Sequence, residues 1–196
     1  YWSFFAVAFM KKKIAILGST GSIGKSTLEV IKKDKKNFNV VYLSANNNYK
    51  KLIQQAKEFN AKNVLIKNEK FYGVVRNSLK KNKTKVFSGD ISITNIISKK
   101  LDYTMAAIVG VAGLQPTIDA IKISKTVALA NKESIICGWE ILSKLIKKYK
   151  TKILPVDSEH FSIMELTKDI SDEEVEEIII TASGGPFLNI PQNKLN

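Results

Sequence analysis

One cysteine (Cys137), one histidine (His160) and one arginine (Arg76) are all that these three residue types contribute to 196 residues. A single cysteine excludes an internal disulfide, and together with a single histidine it excludes a Cys/His zinc site. A reducing cytoplasm is the simplest compartment for such a chain. No apolar run approaches the roughly 20 residues of a membrane-spanning helix, so no membrane partner is expected. The opening "YWSFFAVAFM" is apolar, but no basic segment precedes it and no small-residue cleavage site follows. Met10 is therefore expected to be the true start, with residues 1–9 a non-native or upstream extension.

The shortage of arginine also qualifies the charge. Thirty-one basic residues against 18 acidic ones give a formal charge of +13, yet all but Arg76 of the basic residues are lysine. Forked recognition of bases and phosphates favours arginine. The lysines are scattered in stretches such as "KKDKK", "KKNKTK" and "KKYKTK", which read as solvated helix ends and turns. No nucleic-acid partner is expected, although a positive field suits a small anionic substrate.

What is present is rhythm. Short β-rich runs ("KIAIL", "NVVYLSA", "NVLIK", "KVFS", "YTMAAIVG", "TVALA", "KILPV", "EEIIITAS") alternate with helical patterns. Leu52, Ile53, Ala56 and Phe59 form one apolar stripe, and Phe71, Val74, Val75 and Leu79 another. The longest runs through Ile135, Ile136, Trp139, Leu142, Leu145, Ile146 and Tyr149, which places Cys137 and Trp139 in the core. Pro116 fits the first turn of a helix. This alternation predicts an α/β fold, a Rossmann-like doubly wound and mainly parallel sheet. The rhythm changes near residue 153, where "LPVDSEHFS" brings an acidic-polar cluster. A second, α+β domain is expected to begin at 154–196, after a nucleotide-binding domain over 10–153.

"GSTGSIGKST", from Gly18 to Thr27, directly follows the first strand. A triphosphate-binding loop needs a glycine five positions before the Gly-Lys pair, and Ser19 stands there. A dinucleotide loop fits better. Gly18, Gly21 and Gly24 permit a tight turn and close backbone approach, and the following helix offers free N–H groups to a pyrophosphate. A glycine-rich turn with no ligand is the alternative reading. The second strand ends in Asn46, Asn47 and Asn48, followed by Lys50 and Lys51, where NAD sites carry an acid. Without a carboxylate to repel a 2′-phosphate, NADP is favoured over NAD, unless the asparagines are only a polar turn.

With that loop, "AAIVGVAGLQPT", "ALANKES", "LPVDSEH" and "TASGGPF" follow in one order and spacing. Together they resemble the N-terminal part of the 1-deoxy-D-xylulose 5-phosphate reductoisomerases, from Met10 to Asn196. The resemblance implies NADPH-dependent conversion of 1-deoxy-D-xylulose 5-phosphate to 2-C-methyl-D-erythritol 4-phosphate in isoprenoid biosynthesis, assisted by Mg²⁺ or Mn²⁺. It further implies that Thr20, Gly21, Ser22 and Ile23 contact the cofactor pyrophosphate and Asn48 the 2′-phosphate. Asn131 and Glu133 match cofactor contacts and Lys132 a substrate contact. Asp157 and Glu159 match metal ligands, Ser158 and Glu159 substrate contacts, and Ser183 a residue on the phosphate side of the substrate. Lys132 and Glu159 are thus the expected catalytic residues.

The residue types suit that chemistry. Asp157 and Glu159 are hard oxygen donors flanking a hydroxyl, appropriate to Mg²⁺ or Mn²⁺. Taken alone, "DSE" reads as readily as a helix cap, Lys132 as a surface lysine, and Ser183-Gly184-Gly185 as a strand-exit turn instead of an anion nest. The chain departs from the family at Asn46-Asn47, where Gly-Lys is common, and at Phe161, where Asn is usual. Family members continue past Asn196 with a further metal-ligand Glu, a closing loop and phosphate-binding residues. The sequence is therefore expected to be a fragment, inactive alone, of a homodimeric enzyme. Aspartate-semialdehyde dehydrogenase shares a similar loop but needs a nucleophilic cysteine in a glycine-rich loop, whereas Cys137 lies in a helical pattern. A non-catalytic NADP-binding module or a lysine-rich RNA binder on the same domain is the rival of a different class.

Overall fold

The computed structural model describes residues 10–179 and 191. Residues 1–9 and Ser183, both named above, lie outside the described residues. The chain divides into two compact units between Val156 and Asp157.

The first unit is built on seven strands: β1 (Lys12–Leu17), β2 (Phe38–Ala45), β3 (Asn63–Ile66), β4 (Lys85–Ser88), β5 (Leu101–Ala106), β6 (Ser124–Leu129) and β7 (Lys152–Pro155). All pair in parallel, in the order β4-β3-β2-β1-β5-β6-β7. The sheet is therefore doubly wound, and its direction of growth reverses between β1 and β5. Parallel strands covered on both faces need apolar side chains on both, which explains the unbroken "IAIL" of β1.

The helices are α1 (Ser22–Lys33), α2 (Tyr49–Glu58), α3 (Tyr72–Leu79), the short α4 (Ile93–Ile96), α5 (Leu114–Ile123) and α6 (Lys132–Tyr149). Strand alternation sorts the core into two layers. Ile14 and Ile16 point to the face where Leu28 and Ile31 of α1, Leu52 and Ala56 of α2, and Val75 and Leu79 of α3 pack. Ala15 and Leu17 point to the other face, with Ala120 and Ile121 of α5 and Leu142 of α6.

Seven of the eight strands expected from sequence are present within a few residues of their runs. The eighth, "EEIIITAS", is not a strand over its described residues 176–179. Hydropathy marks its β character, but a strand also needs a hydrogen-bonding neighbour, and none is given to it among the described residues.

A second correction concerns α6. Cys137 is exposed, and Ile136 and Trp139 are 80% and 58% exposed. Leu142 of that stripe is buried, with Ile135, Leu145 and Ile146 packed beside it, and the fully buried line runs through Ser134, Gly138 and Leu142. Gly138 lies so close to α5 that a Cβ there would be 2.5 Å from Leu114 Cδ1. Small residues let the two helices approach, and counting apolar residues overlooks them.

The second unit contains α7 (Ser158–Leu166) among its described residues. No helix of the described residues is long and apolar enough to cross a membrane.

Candidate functional site

Ligands of doubly wound sheets bind beyond the carboxyl ends of the strands, where the order reverses. Here that place is bounded by the loops after β1 and β5. Gly18 leaves β1 at φ +77°, a left-handed conformation that favours glycine. A Cβ at Gly18 would also lie 2.9 Å from the Ala107 carbonyl oxygen, so the loops after β1 and β5 abut.

Three glycines in this loop have three different reasons. Gly18 makes the turn. Gly24 lets α1 sit on the loop, since a Cβ there would be 2.5 Å from the Gly18 carbonyl oxygen and 2.6 Å from Ser19 Cα. Gly21 is different. Its backbone is extended (φ −72°, ψ 175°), and a Cβ would meet only the Gly18 oxygen, at 3.4 Å, an ordinary contact. Nothing in the fold itself requires glycine at position 21.

Gly21 is also the N-cap of α1, so the helix begins with no side-chain cap and no acid in its first turn. The first N–H groups of a helix have no partner within it, and its N-terminal end carries partial positive charge. Thr20, Gly21, Ser22 and Ile23 thus stand at an uncapped helix terminus of the kind that suits an anion, with Gly21 and Ser22 exposed.

The loop is fastened from behind. Ser44, near the end of β2, accepts the Gly18 N–H on Oγ at 3.1 Å and the Ser19 N–H on its carbonyl at 2.8 Å. From α2, Gln55 Nε2 donates to the Ser19 carbonyl at 2.8 Å, while Ser19 Oγ donates to Gln55 Oε1 at 2.8 Å. Both side chains are buried. Sequence reading missed Gln55, because a glutamine within an amphipathic helix carries no local sign of burial.

Asn48 is the N-cap of α2, and its Oδ1 accepts from Lys51 N at 3.2 Å. The asparagine loop is tied to the end of β3, with Asn68 Nδ2 donating to Asn47 Oδ1 at 2.8 Å and Asn68 N to the Asn46 carbonyl at 3.1 Å. Tyr49 stacks on Phe71 with ring centroids 4.5 Å apart, which buttresses this helix end. No acid stands in the first turn of α2, while Lys50 and Lys51 do.

After β6, Asn131 caps α6 by accepting from Ser134 N at 2.8 Å. Its Nδ2 donates to the Ile108 carbonyl and, at 2.8 Å, to the Gly110 carbonyl. Only 3% exposed, Asn131 directs its amide inward and locks the loop after β5 to the start of α6. Lys132 and Glu133, the first two residues of α6, are exposed. The structure therefore brings Thr20–Ile23 and Asn131–Glu133 to one edge of the sheet, joined through residues 107–110. A cleft of about 550 Å³ lies at the opposite edge, among Lys13, Lys62, Lys83, Lys85 and Lys99.

In the second unit, Asp157 is the N-cap of α7. Its Oδ1 accepts from His160 N at 2.9 Å and lies 2.6 Å from His160 Nδ1. Ser158 Oγ donates to Glu159 Oε2 at 3.0 Å. The cap reading of "DSE" is thus realised. Two hard carboxylates on one helix terminus match Mg²⁺ or Mn²⁺ in donor type. Among the described residues, no group of three or more His, Cys, Asp or Glu side chains is placed to hold a metal ion.

The family model of 1-deoxy-D-xylulose 5-phosphate reductoisomerase matches residues 14–138, well over half of the chain. The chain belongs to this family. The model of the reductoisomerase C-terminal domain matches residues 153–196. The reductoisomerase of Pelagibacter ubique is 53% identical over 93% of this chain and 48% of its own length. That of Wolbachia pipientis from Culex pipiens is 45% identical over 94% and 47%. The solved reductoisomerase of Zymomonas mobilis, in complex with NADPH, superposes with a TM-score of 0.86 at 39% identity over 92% of this chain and 48% of that one. Another solved reductoisomerase, in complex with NADPH, fosmidomycin and magnesium, gives 0.81 at 32% identity over 93% and 48%. The chain spans about half the length of the reductoisomerases it matches.

Proposed function

We propose that this chain is the cofactor-binding part, with the start of the catalytic part, of an NADPH-dependent 1-deoxy-D-xylulose 5-phosphate reductoisomerase. The product is 2-C-methyl-D-erythritol 4-phosphate. The observation that carries this reading is the uncapped, acid-free N-terminus of α1 behind a glycine loop at the reversal of the sheet. It lies in a family whose Zymomonas mobilis member is solved with NADPH.

In this proposal the N–H groups of Thr20–Ile23 hold the pyrophosphate. The N-terminus of α2, with Asn48, Lys50 and Lys51, receives the 2′-phosphate. At the start of α6, Asn131 and Glu133 contact the cofactor and Lys132 the substrate. The bound cofactor supplies the hydride. Asp157 and Glu159 would hold Mg²⁺ or Mn²⁺, a Lewis acid for the oxygens of the substrate. Ser158, Glu159 and Ser183 bind and orient the phosphorylated sugar. The domain boundary is proposed at 153–154, and the full-length enzyme as a cytoplasmic homodimer.

Fusing the chain to the second half of the Pelagibacter ubique reductoisomerase tests this. NADPH absorbance should fall when 1-deoxy-D-xylulose 5-phosphate and Mn²⁺ are added, and Glu159→Gln should stop it. A fusion that folds and binds NADPH but never consumes it would contradict the assignment.

A further inference from the structure

Gln55 is the only polar residue among the buried side chains of α2, where it sits between Leu52 and Ala56. Burying an amide costs free energy unless its donors and acceptor are paired, and a leucine would fill such a place more cheaply. Its two 2.8 Å bonds both go to Ser19, 36 residues away, one to the main chain and one to the hydroxyl. Ser19 is wholly buried and directly precedes half-buried Thr20 and exposed Gly21. Ser44 holds the other side of the same residue. Seven residues before Gln55, or about 10 Å along the axis, stands Asn48, the N-cap of α2. One helix therefore presents the residues assigned to the 2′-phosphate and, two turns later, grips the loop assigned to the pyrophosphate.

From this we propose that Gln55 is a positioning residue: through Ser19 it fixes the pyrophosphate loop relative to the adenosine end of the site. The inference rests on the cofactor reading above. Gln55 reaches no ligand itself. Its loss leaves the Ser19 carbonyl without its donor inside the protein, and the loop relaxes away from the geometry that aims its N–H groups.

The test uses two ligands on the whole chain: NADPH, which spans both halves, and adenosine 2′-monophosphate, which has no pyrophosphate. Gln55→Met keeps the volume and removes the hydrogen bonds. It should weaken NADPH about tenfold, the equivalent of one unsatisfied buried carbonyl, and leave adenosine 2′-monophosphate unchanged. Ser19→Ala removes one of the two bonds, should lose less, and decides the matter if Gln55→Met does not fold. Equal weakening of both ligands would mean general destabilisation and would overturn the inference, as would unchanged NADPH affinity in either variant. A wild-type chain that binds neither ligand overturns the cofactor reading and this inference with it.

Discussion

Gly24 rests against the Gly18 carbonyl so closely that a Cβ at position 24 would stand 2.5 Å from its oxygen. Gly21, between them, has room for one. The fold therefore needs the outer glycines and does not need the middle one, which is proposed to serve a ligand.

Gly24→Ala should accordingly cost about 2–3 kcal/mol of stability, because the neighbouring atoms are backbone and cannot swing aside. Gly21→Val should cost under about 1 kcal/mol, since its backbone is extended and uncapped in any case. It should nevertheless abolish NADPH binding. Urea denaturation and fluorescence titration on both variants check this. Normal NADPH affinity in a folded Gly21→Val protein would remove Gly21 from the phosphate loop.

Asn48→Asp should keep the α2 cap, because a carboxylate accepts the Lys51 N–H as an amide oxygen does. It places negative charge where a 2′-phosphate is proposed. NADPH should weaken and NADH should not, with stability unaltered. Parallel titrations with the two cofactors give the ratio.

Removing the Asn131 side chain with Asn131→Ala deletes a helix cap and the donors of two loop carbonyls at once. A loss of about 2–4 kcal/mol is expected by urea denaturation. A near-neutral result would show that the loop after β5 is held by other means.

Much of this was legible in advance. Seven strands announce themselves because both faces of a parallel sheet are apolar, and the glycine loop because its spacing is unusual. The second layer of the site was not. Gln55 acts through a partner 36 residues away, and Asn131, named from the sequence as a cofactor contact, also ties down carbonyls 21 and 23 residues away; such pairing leaves no trace in local pattern. On α6 the sequence stripe finds Ile135, Leu142, Leu145 and Ile146, which do pack, but overlooks Ser134 and Gly138 because they are small, and wrongly adds Ile136, Cys137 and Trp139. Asp157 shows the converse, since the cap seen in its sequence is real and leaves any metal role to chemistry not visible in the pattern.

A pH dependence follows from Asp102 on β5. Lys125 Nζ of β6 donates to its Oδ1 at 2.8 Å, and the Lys13 N–H of β1 donates to its Oδ2 at 2.8 Å. The Lys125 hydrogen bond first, and the Lys13 N–H second, hold its carboxyl below the usual range. A carboxyl depressed in the folded state stabilises fully above the unfolded value of about 3.9, and that stability is lost as pH falls towards the folded value. Asp102→Asn should therefore be less stable than wild type at pH 7, with the gap closing below about pH 4. Urea midpoints at pH 7 and pH 3 measure it, and a gap independent of pH would refute the linkage.

The acid-free ends of α1 and α2 are proposed to form an NADPH site, which titration of the wild-type chain with NADPH and NADH puts to the test. Saturable one-to-one binding is predicted, with NADPH tighter by about tenfold or more, the value of one charge-assisted contact to the 2′-phosphate. Equal affinities, a preference for NADH, or no binding of either cofactor by the folded chain would contradict it.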